Sequence, residues 1–303
     1  MKKIALFFAL IAVIDIACGF GFDVLKKHAK GGETRKNLYI AEECEDDILI
    51  LGSSRAARHY DPNVIEDSLG MTCFNCGEPG CGIITAYARY QMIAERHKPK
   101  LVIYEVTPNY DFLNSDDYSK YLGRIKQYSD NKSVKRLFVE LKGVSEGYRL
   151  FSNLYKNNGF FLDNVSDLLI TKEINKGFNP LYGVLNTNIQ QRPSDEHLDL
   201  DGLKFSYMAK LIEELKKDSI AVVFMVSPKY MSLEEANKAL AEYKPIINLC
   251  EQYNVPFFNH LYMEGLSDNS FMFQDYGHMN VNGVSKFDKV VCAELMSFLN
   301  RQN

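Results

Sequence analysis

Asp47-Ile48-Leu49-Ile50-Leu51-Gly52-Ser53-Ser54-Arg55 is a run of four β-favouring apolar residues with acids before it and a Gly-Ser-Ser turn after it. Because successive residues are all apolar, it predicts a central strand covered on both faces, as in a parallel sheet. At the C-terminal edge of such a sheet the chain must leave the core, and ligands and reactive groups collect there. That position makes Ser54 a candidate nucleophile.

The same rhythm continues downstream. Asp61 and Pro62 predict an N-cap and a first helical position, and Gly70 a residue just past the helix end. A short strand over 71–75 leads into the Gly-rich loop Cys76-Gly77-Glu78-Pro79-Gly80-Cys81-Gly82. A helix over 83–98, stopped by Pro99, and a buried strand over 101–106 follow. This β-loop-α-β-loop-α-β order predicts a parallel sheet with right-handed crossovers. Residues 110–199 depart from it. They are rich in Tyr, Lys, Ser and Asn and too many for a simple crossover, so a mostly helical insertion is expected there, capping the sheet edge and deciding the substrate. The α/β pattern then resumes. Phe205, Met208, Leu211, Ile212 and Leu215 share a helical face, and a strand over 220–226 follows. A long helix over 233–253 is expected to kink at Pro245. A last strand over 255–259, a loop over 270–282 and a closing helix over 283–299 complete the chain.

The chain has 303 residues, enough for one large domain or two small ones, and its 46% hydrophobic content supports a sizeable core. A net charge of −4 gives no electrostatic reason to expect nucleic acid. Seven cysteines, an odd number, argue against a complete disulfide framework. Cys73, Cys76 and Cys81 cluster without a second CxxC or a His pair, which is a weak metal pattern. At the start, Lys2-Lys3 precede an apolar run over 4–22 interrupted by Asp15. Basic residues before an apolar run mark a signal sequence, and the run is also long enough to span a bilayer. Residues 1–22 are therefore expected to be a signal anchor or a signal peptide. Residues 23–46 read as a polar spacer with a short strand over 37–40, and 47–303 as the α/β body, placed outside the cytoplasm.

Phe273-Gln274-Asp275-Tyr276-Gly277-His278-Met279-Asn280 is the second informative stretch. Asp275 and His278, three apart, can meet within one turn of chain. A carboxylate on one imidazole nitrogen fixes the tautomer and frees the other nitrogen as a base. Arg55 and Arg58 are candidates for holding an anionic substrate. His59 lies near Ser54 but has no orienting acid at a suitable spacing. His97, His197 and His260 lack a surrounding pattern, and Glu105 sits near a strand end.

Taken together, the strand-Gly-Ser-Ser, the Asn75-Cys76-Gly77-Glu78-Pro79-Gly80 loop, Thr107-Pro108-Asn109 and the late Asp275-His278 pair resemble the four blocks of the SGNH (GDSL-like) hydrolase superfamily, in its membrane-anchored cell-envelope branch. The resemblance covers about 48–299 and leaves the insertion unexplained. It implies a three-layer α/β/α, flavodoxin-like parallel sheet. It makes Ser54 the nucleophile, His278 the base and Asp275 its orienting acid. Ser54, Gly80 and Asn109 are the implied oxyanion-hole donors, with Asn114 a second candidate for the last. Ser53 stands where the family usually carries Asp, and the third block lacks its usual Gly. The implied activity is that of a serine esterase or O-acyltransferase acting on an ester-bearing glycan or small ester, with no cofactor. A lipase or thioesterase is a variant of that reading. The other class is a non-catalytic envelope protein that keeps the fold for binding or for assembling an envelope-modification complex. In either case the N-terminal segment makes the membrane a partner.

Overall fold

The computed structural model describes residues 1–113, 118–187 and 199–301. The chain forms two compact units, one from 45–87, 97–116 and 175–303, the other from 1–44, 88–96 and 117–174. Asn114 and His197 lie outside the described residues.

The first unit is built on five parallel strands, β1 (Ile48–Gly52), β2 (Cys73–Asn75), β3 (Leu101–Glu105), β4 (Ala221–Val226) and β5 (Phe257–Asn259). Their spatial order is β2-β1-β3-β4-β5. This is the flavodoxin-like order, whose direction reverses between β1 and β3 and opens a crevice at their C-terminal ends. Gly52 pairs with Glu105 and Glu105 with Met225, so β1, β3 and β4 end level with one another.

Every residue of β1, β2 and β3 is buried. Ile48, Ile50, Leu101, Ile103, Val223 and Met225 form one face, packed with Ile65 and with Val284, Phe287, Val291 and Leu295 of the closing helix Val281–Asn300. On the alternate positions, Tyr104 stacks on Phe224 at 5.1 Å, and the helix Gly202–Lys217 buries Met208, Leu211, Ile212 and Leu215. Right-handed crossovers account for the two layers. The step from β1 to β2 runs opposite to those from β2 to β3 to β4, so their helices fall on opposite faces.

Local chemistry sets the ends. Asp61 accepts from the Asn63 N–H at 3.0 Å to start the helix Pro62–Leu69, and Gly70 closes it with φ 65°. The helix expected over 233–253 is in fact two, Leu233–Ala239 and Lys244–Gln252, joined by a 3₁₀ turn at Leu240–Tyr243. Pro245 has no N–H to give and sits in the first turn of the second helix, where none is needed. The loop expected over 270–282 contains an antiparallel hairpin of β6 (Phe273–Asp275) and β7 (His278–Met279).

The second unit is helical. The long helix Lys2–Lys27 packs with Asn153–Asn157 and Phe161–Leu169. Residues 37–40, expected as a strand, belong instead to the helix Gly32–Leu38 and the wide turn Tyr39–Glu43. Tertiary partners override the local preference there. The Thr34 N–H donates to Asp167 at 3.0 Å, and the Arg96 guanidinium donates to the Ile40 and Ala41 carbonyls at 3.1 and 2.5 Å. Among its described residues, the insertion expected over 110–199 carries helices as far as Leu169, whereas from Asn175 the chain belongs to the α/β unit. Phe178 and Leu185 join that unit's core, and the Asn179 N–H donates to the Ala57 carbonyl at 2.8 Å.

Candidate active site

β1 ends at Gly52, whose φ of 135° and proximity to β3 both exclude a side chain, since a Cβ there would stand 2.4 Å from the Glu105 carbonyl oxygen. Ser53 occupies the N-cap position of the short helix Ser54–His59 without capping it through its side chain. Its buried hydroxyl lies 2.7 Å from the Thr107 Oγ1, which ties the end of β1 to the end of β3. The Gly-rich loop after β2 is fastened to the same edge. The Cys76 N–H donates to the Ile50 carbonyl at 2.8 Å and the Glu78 N–H to the Gly52 carbonyl at 3.0 Å. Asn75 Nδ2 donates to the carbonyls of Ala56 and Tyr60. A Cβ on Gly77 would stand 2.4 Å from the Ala57 nitrogen, so only glycine lets the loop lie against the Ser54 helix. Gly80 and Asn109 thus follow the two strands that flank β1, Gly80 in this loop and Asn109, exposed, in the short helix Pro108–Asp111.

Ser54 and His278, 224 residues apart in sequence, meet with Oγ and Nε2 at 2.8 Å. On the other side of the ring, Nδ1 lies 2.9 Å from both carboxylate oxygens of Asp275. A carboxylate only accepts, so Nδ1 carries the proton and Nε2 accepts from the Ser54 hydroxyl. The spacing works through a hairpin rather than the expected helical turn, because Asp275 and His278 are register partners in β6 and β7. Asp275 also accepts from the Gly277 and His278 N–H groups at 2.8 and 2.9 Å. Burial works to raise its pKa, but the His278 ring and these N–H groups outweigh it and hold the carboxyl below its ordinary value.

Arg55 does not face a substrate. It is 3% exposed, and its guanidinium is taken up by Glu105, the Ser227 carbonyl and Oγ, and the Tyr243 hydroxyl. Glu105 is fully buried and also accepts from the Tyr60 hydroxyl, the Ser227 N–H and the Ser227 Oγ. Burial opposes the Arg55 charge, and Glu105 more than restores it. His59 is not a base for Ser54 either. Its Nε2 accepts from the Met279 N–H at 3.0 Å, so Nδ1 carries the proton and donates to the Ser227 Oγ at 2.7 Å. Burial, then the Arg55 charge, pushes the His59 pKa well down and keeps the ring neutral 5.9 Å from His278. Arg58 is half-buried, and His260 pairs with Glu294 at 2.8 Å. Sequence reasoning missed His59 and Ser227 as the link between the hairpin and the strand ends. Their contact joins residues 168 apart, and no local pattern announces it.

Two further features border the site. Asp111, fully buried, accepts from the Tyr104 hydroxyl at 2.7 Å and the Thr107 N–H at 2.6 Å, and so holds the turn that meets Ser53. Burial pushes its pKa up from 3.8 to about 7. A cavity of about 340 Å³ lies beside the hairpin, lined by Tyr230, Met231, Ser232, Glu235, Ser267, Asp268 and Tyr276. All seven cysteines are free thiols, and the described residues contain no group of three or more metal-ligating side chains.

Removing Glu105 strands a buried cation. Glu105→Ala is expected to lower stability by roughly 3–5 kcal/mol, whereas Arg55→Met with Glu105→Leu costs far less, as read by denaturant titration of the full chain in detergent. Asp111 titrates in the opposite sense to a salt-bridged acid. The folded chain keeps a proton that the unfolded chain releases above 3.8, so its contribution to stability is whole below that value and is lost as pH rises through about 7. Asp111→Asn should flatten this loss, which in the wild type approaches about 1.4 kcal/mol per pH unit, in melting curves taken from pH 4 to 8.

No family model matches the sequence, and no curated protein matches it. Among solved structures, the chain is similar to a candidate acylhydrolase from Bacteroides fragilis, with 12% identity over 88% of this chain and 96% of that one, at a TM-score of 0.44. It is similar to TesA, with 11% identity over 80% and 93% at 0.41. It is also similar to a candidate platelet activating factor from Streptococcus pneumonia, with 11% identity over 91% and 98% at 0.43. At these scores the likeness carries no argument about function, and the fold rests on the chain's own strand order.

Proposed function

We propose that the chain is a serine esterase or O-acyltransferase of the SGNH (GDSL-like) kind, anchored in the membrane by its N-terminal helix with the α/β body outside the cytoplasm, and acting on an acylated carbohydrate of the cell envelope. One observation carries this reading, the hydrogen-bonded line from the Ser54 hydroxyl through the His278 ring to the Asp275 carboxylate. A serine hydroxyl is a poor nucleophile at neutral pH unless a base takes its proton as it attacks. His278 Nε2 is in place to do so, and the Asp275 charge stabilises the imidazolium that results. Neutral His59 adds no second positive charge beside it.

In the first half-reaction Ser54 Oγ bonds to the ester carbonyl carbon, and its proton passes to His278. The tetrahedral oxyanion is held by the N–H groups of Ser54 and Gly80 and the side-chain amide of Asn109, one such donor being worth roughly 3–4 kcal/mol. The carbon–oxygen bond to the alcohol then breaks, with His278 returning the proton to the leaving oxygen. Water (hydrolysis) or a sugar hydroxyl (transfer) repeats the steps in reverse on acyl-Ser54. The cavity beside the hairpin supports a carbohydrate partner. Tyr230 and Tyr276, with ring centroids 5.7 Å apart, offer faces for the C–H side of a sugar, and exposed Asp268 offers a partner for its hydroxyls.

A fluorophosphonate probe should label the wild type at Ser54 and leave Ser54→Ala unlabelled, with aryl-ester turnover falling at least roughly 1,000-fold in the variant. Absence of labelling together with equal turnover would sink the catalytic reading and leave a non-catalytic envelope binding or assembly protein. If the cavity seats the sugar, Tyr230→Ala should raise KM for an acetylated glycan by about tenfold, with aryl-acetate turnover unchanged, as measured by steady-state kinetics.

A further inference from the structure

The helix Lys2–Lys27 is long and apolar enough to cross a membrane. A hydrocarbon core of about 30 Å takes roughly 20 residues at 1.5 Å each. Counted from Lys3, the apolar residues up to Ile14 reach only about 16 Å. A core that begins at Lys3 therefore runs past Asp15 and ends near Phe22. Over that second half the helix has company. Asp15 Oδ1 accepts from the Ser152 hydroxyl at 2.7 Å and the Leu154 N–H at 2.9 Å. Its Oδ2 accepts from the Asn153 N–H at 2.8 Å and from Asn153 Nδ2 at 3.2 Å. Further along, a Cβ on Gly19 would stand 2.5 Å from the Asn153 Cγ, and the Phe22 ring meets that of Phe161 at 6.2 Å. Residues 152–154 share whatever depth Asp15 has.

We propose that the helical insertion is itself embedded in the bilayer beside the anchor, with the turn 151–154 at hydrocarbon depth in the half of the membrane away from Lys3 and Phe161 and Leu162 at its border. The inference rests on the reading of Lys2–Lys27 as an anchor. Two observations carry it beyond the length count. The polar groups that would be costly in lipid cancel one another. A bare carboxylate and the free N–H groups that start a helix are each expensive there, and here the first accepts from the second. The exposed side chains here include four large apolar ones, beside exposed Arg149 and Asn158 and the Lys135 ammonium, which lies 3.7 Å from the centre of the Phe151 ring on its long apolar stem. Phe151, Leu154, Phe161 and Leu162 are 69, 44, 54 and 78% exposed. A patch of that kind, continuous with a membrane helix, matches lipid rather than water. Asp163 and Asp23, beside Leu162 and Phe22, fall at the level where charge returns.

The chain has no tryptophan, so a single introduced one reports alone. Phe8→Trp, Phe151→Trp, Leu154→Trp and Leu162→Trp each replace an exposed apolar residue in the full chain. The variants are compared in phosphatidylcholine vesicles with and without bromine at fixed acyl positions. We expect the tryptophans at 8, 151 and 154 to lose more than half their emission to bromines deep in the chains, and the one at 162 to respond most to shallow bromines. Quenching at 8 alone would overturn the proposal while leaving the anchor, and would mean that a second copy or another protein covers the insertion. Quenching at none of them would remove the anchor reading and the proposal with it.

Discussion

The contact between Arg55 and Glu105 is the constraint on which the site depends. Two charges taken out of water cost several kcal/mol each, and their attraction offsets that only when every remaining donor and acceptor is used. Here they are used. Glu105 at the end of β3 collects Arg55, Tyr60 and Ser227, and Ser227 at the end of β4 passes the connection to His59 and on to the Met279 N–H. Arg55 follows Ser54 directly, and Met279, at the far end of the chain of contacts, follows His278, so satisfying the buried acid also helps fix the two stretches of chain whose side chains meet at 2.8 Å.

A second, weaker tie acts at the same edge. Next to the proposed nucleophile Ser54, Ser53 shares a hydrogen bond with Thr107, whose N–H is in turn held by Asp111. The link is between neutral hydroxyls and leaves the Asp275 carboxylate as the charge that faces His278. It also couples the turn bearing Asn109 to the turn bearing Ser54, since both depend on one buried carboxyl.

Much of this was legible in the sequence because it depends on short-range rules. A strand apolar at every position, a Gly-Ser-Ser turn after it and an acid near a histidine are written locally, and they singled out Ser54, Asp275 and His278, which the structure brings together. What was misread depended on distant partners. Arg55 looks like a free cation because its acid is 50 residues away. Residues 37–40 look like a strand because Leu38, Tyr39 and Ile40 favour one, and only Arg96 and the helix Phe161–Leu169 show why they coil instead. Asp275 and His278 were paired for the wrong local geometry, since residues three apart can meet in a tight hairpin as well as in a helical turn.

Asp15 imposes an order of events. Its carboxylate leaves the ribosome more than a hundred residues before the Ser152 hydroxyl and the Asn153 and Leu154 N–H groups that occupy it. Until then the first helix carries an unpaired acid among apolar side chains. Once they are joined, neither piece can leave without exposing the other. Cutting the chain after the apolar run would remove the acceptor from four donors and the ring that faces Phe161. In this structure residues 1–22 pack on the start of the insertion, so their removal would leave the first turn of Asn153–Asn157 without its acceptor.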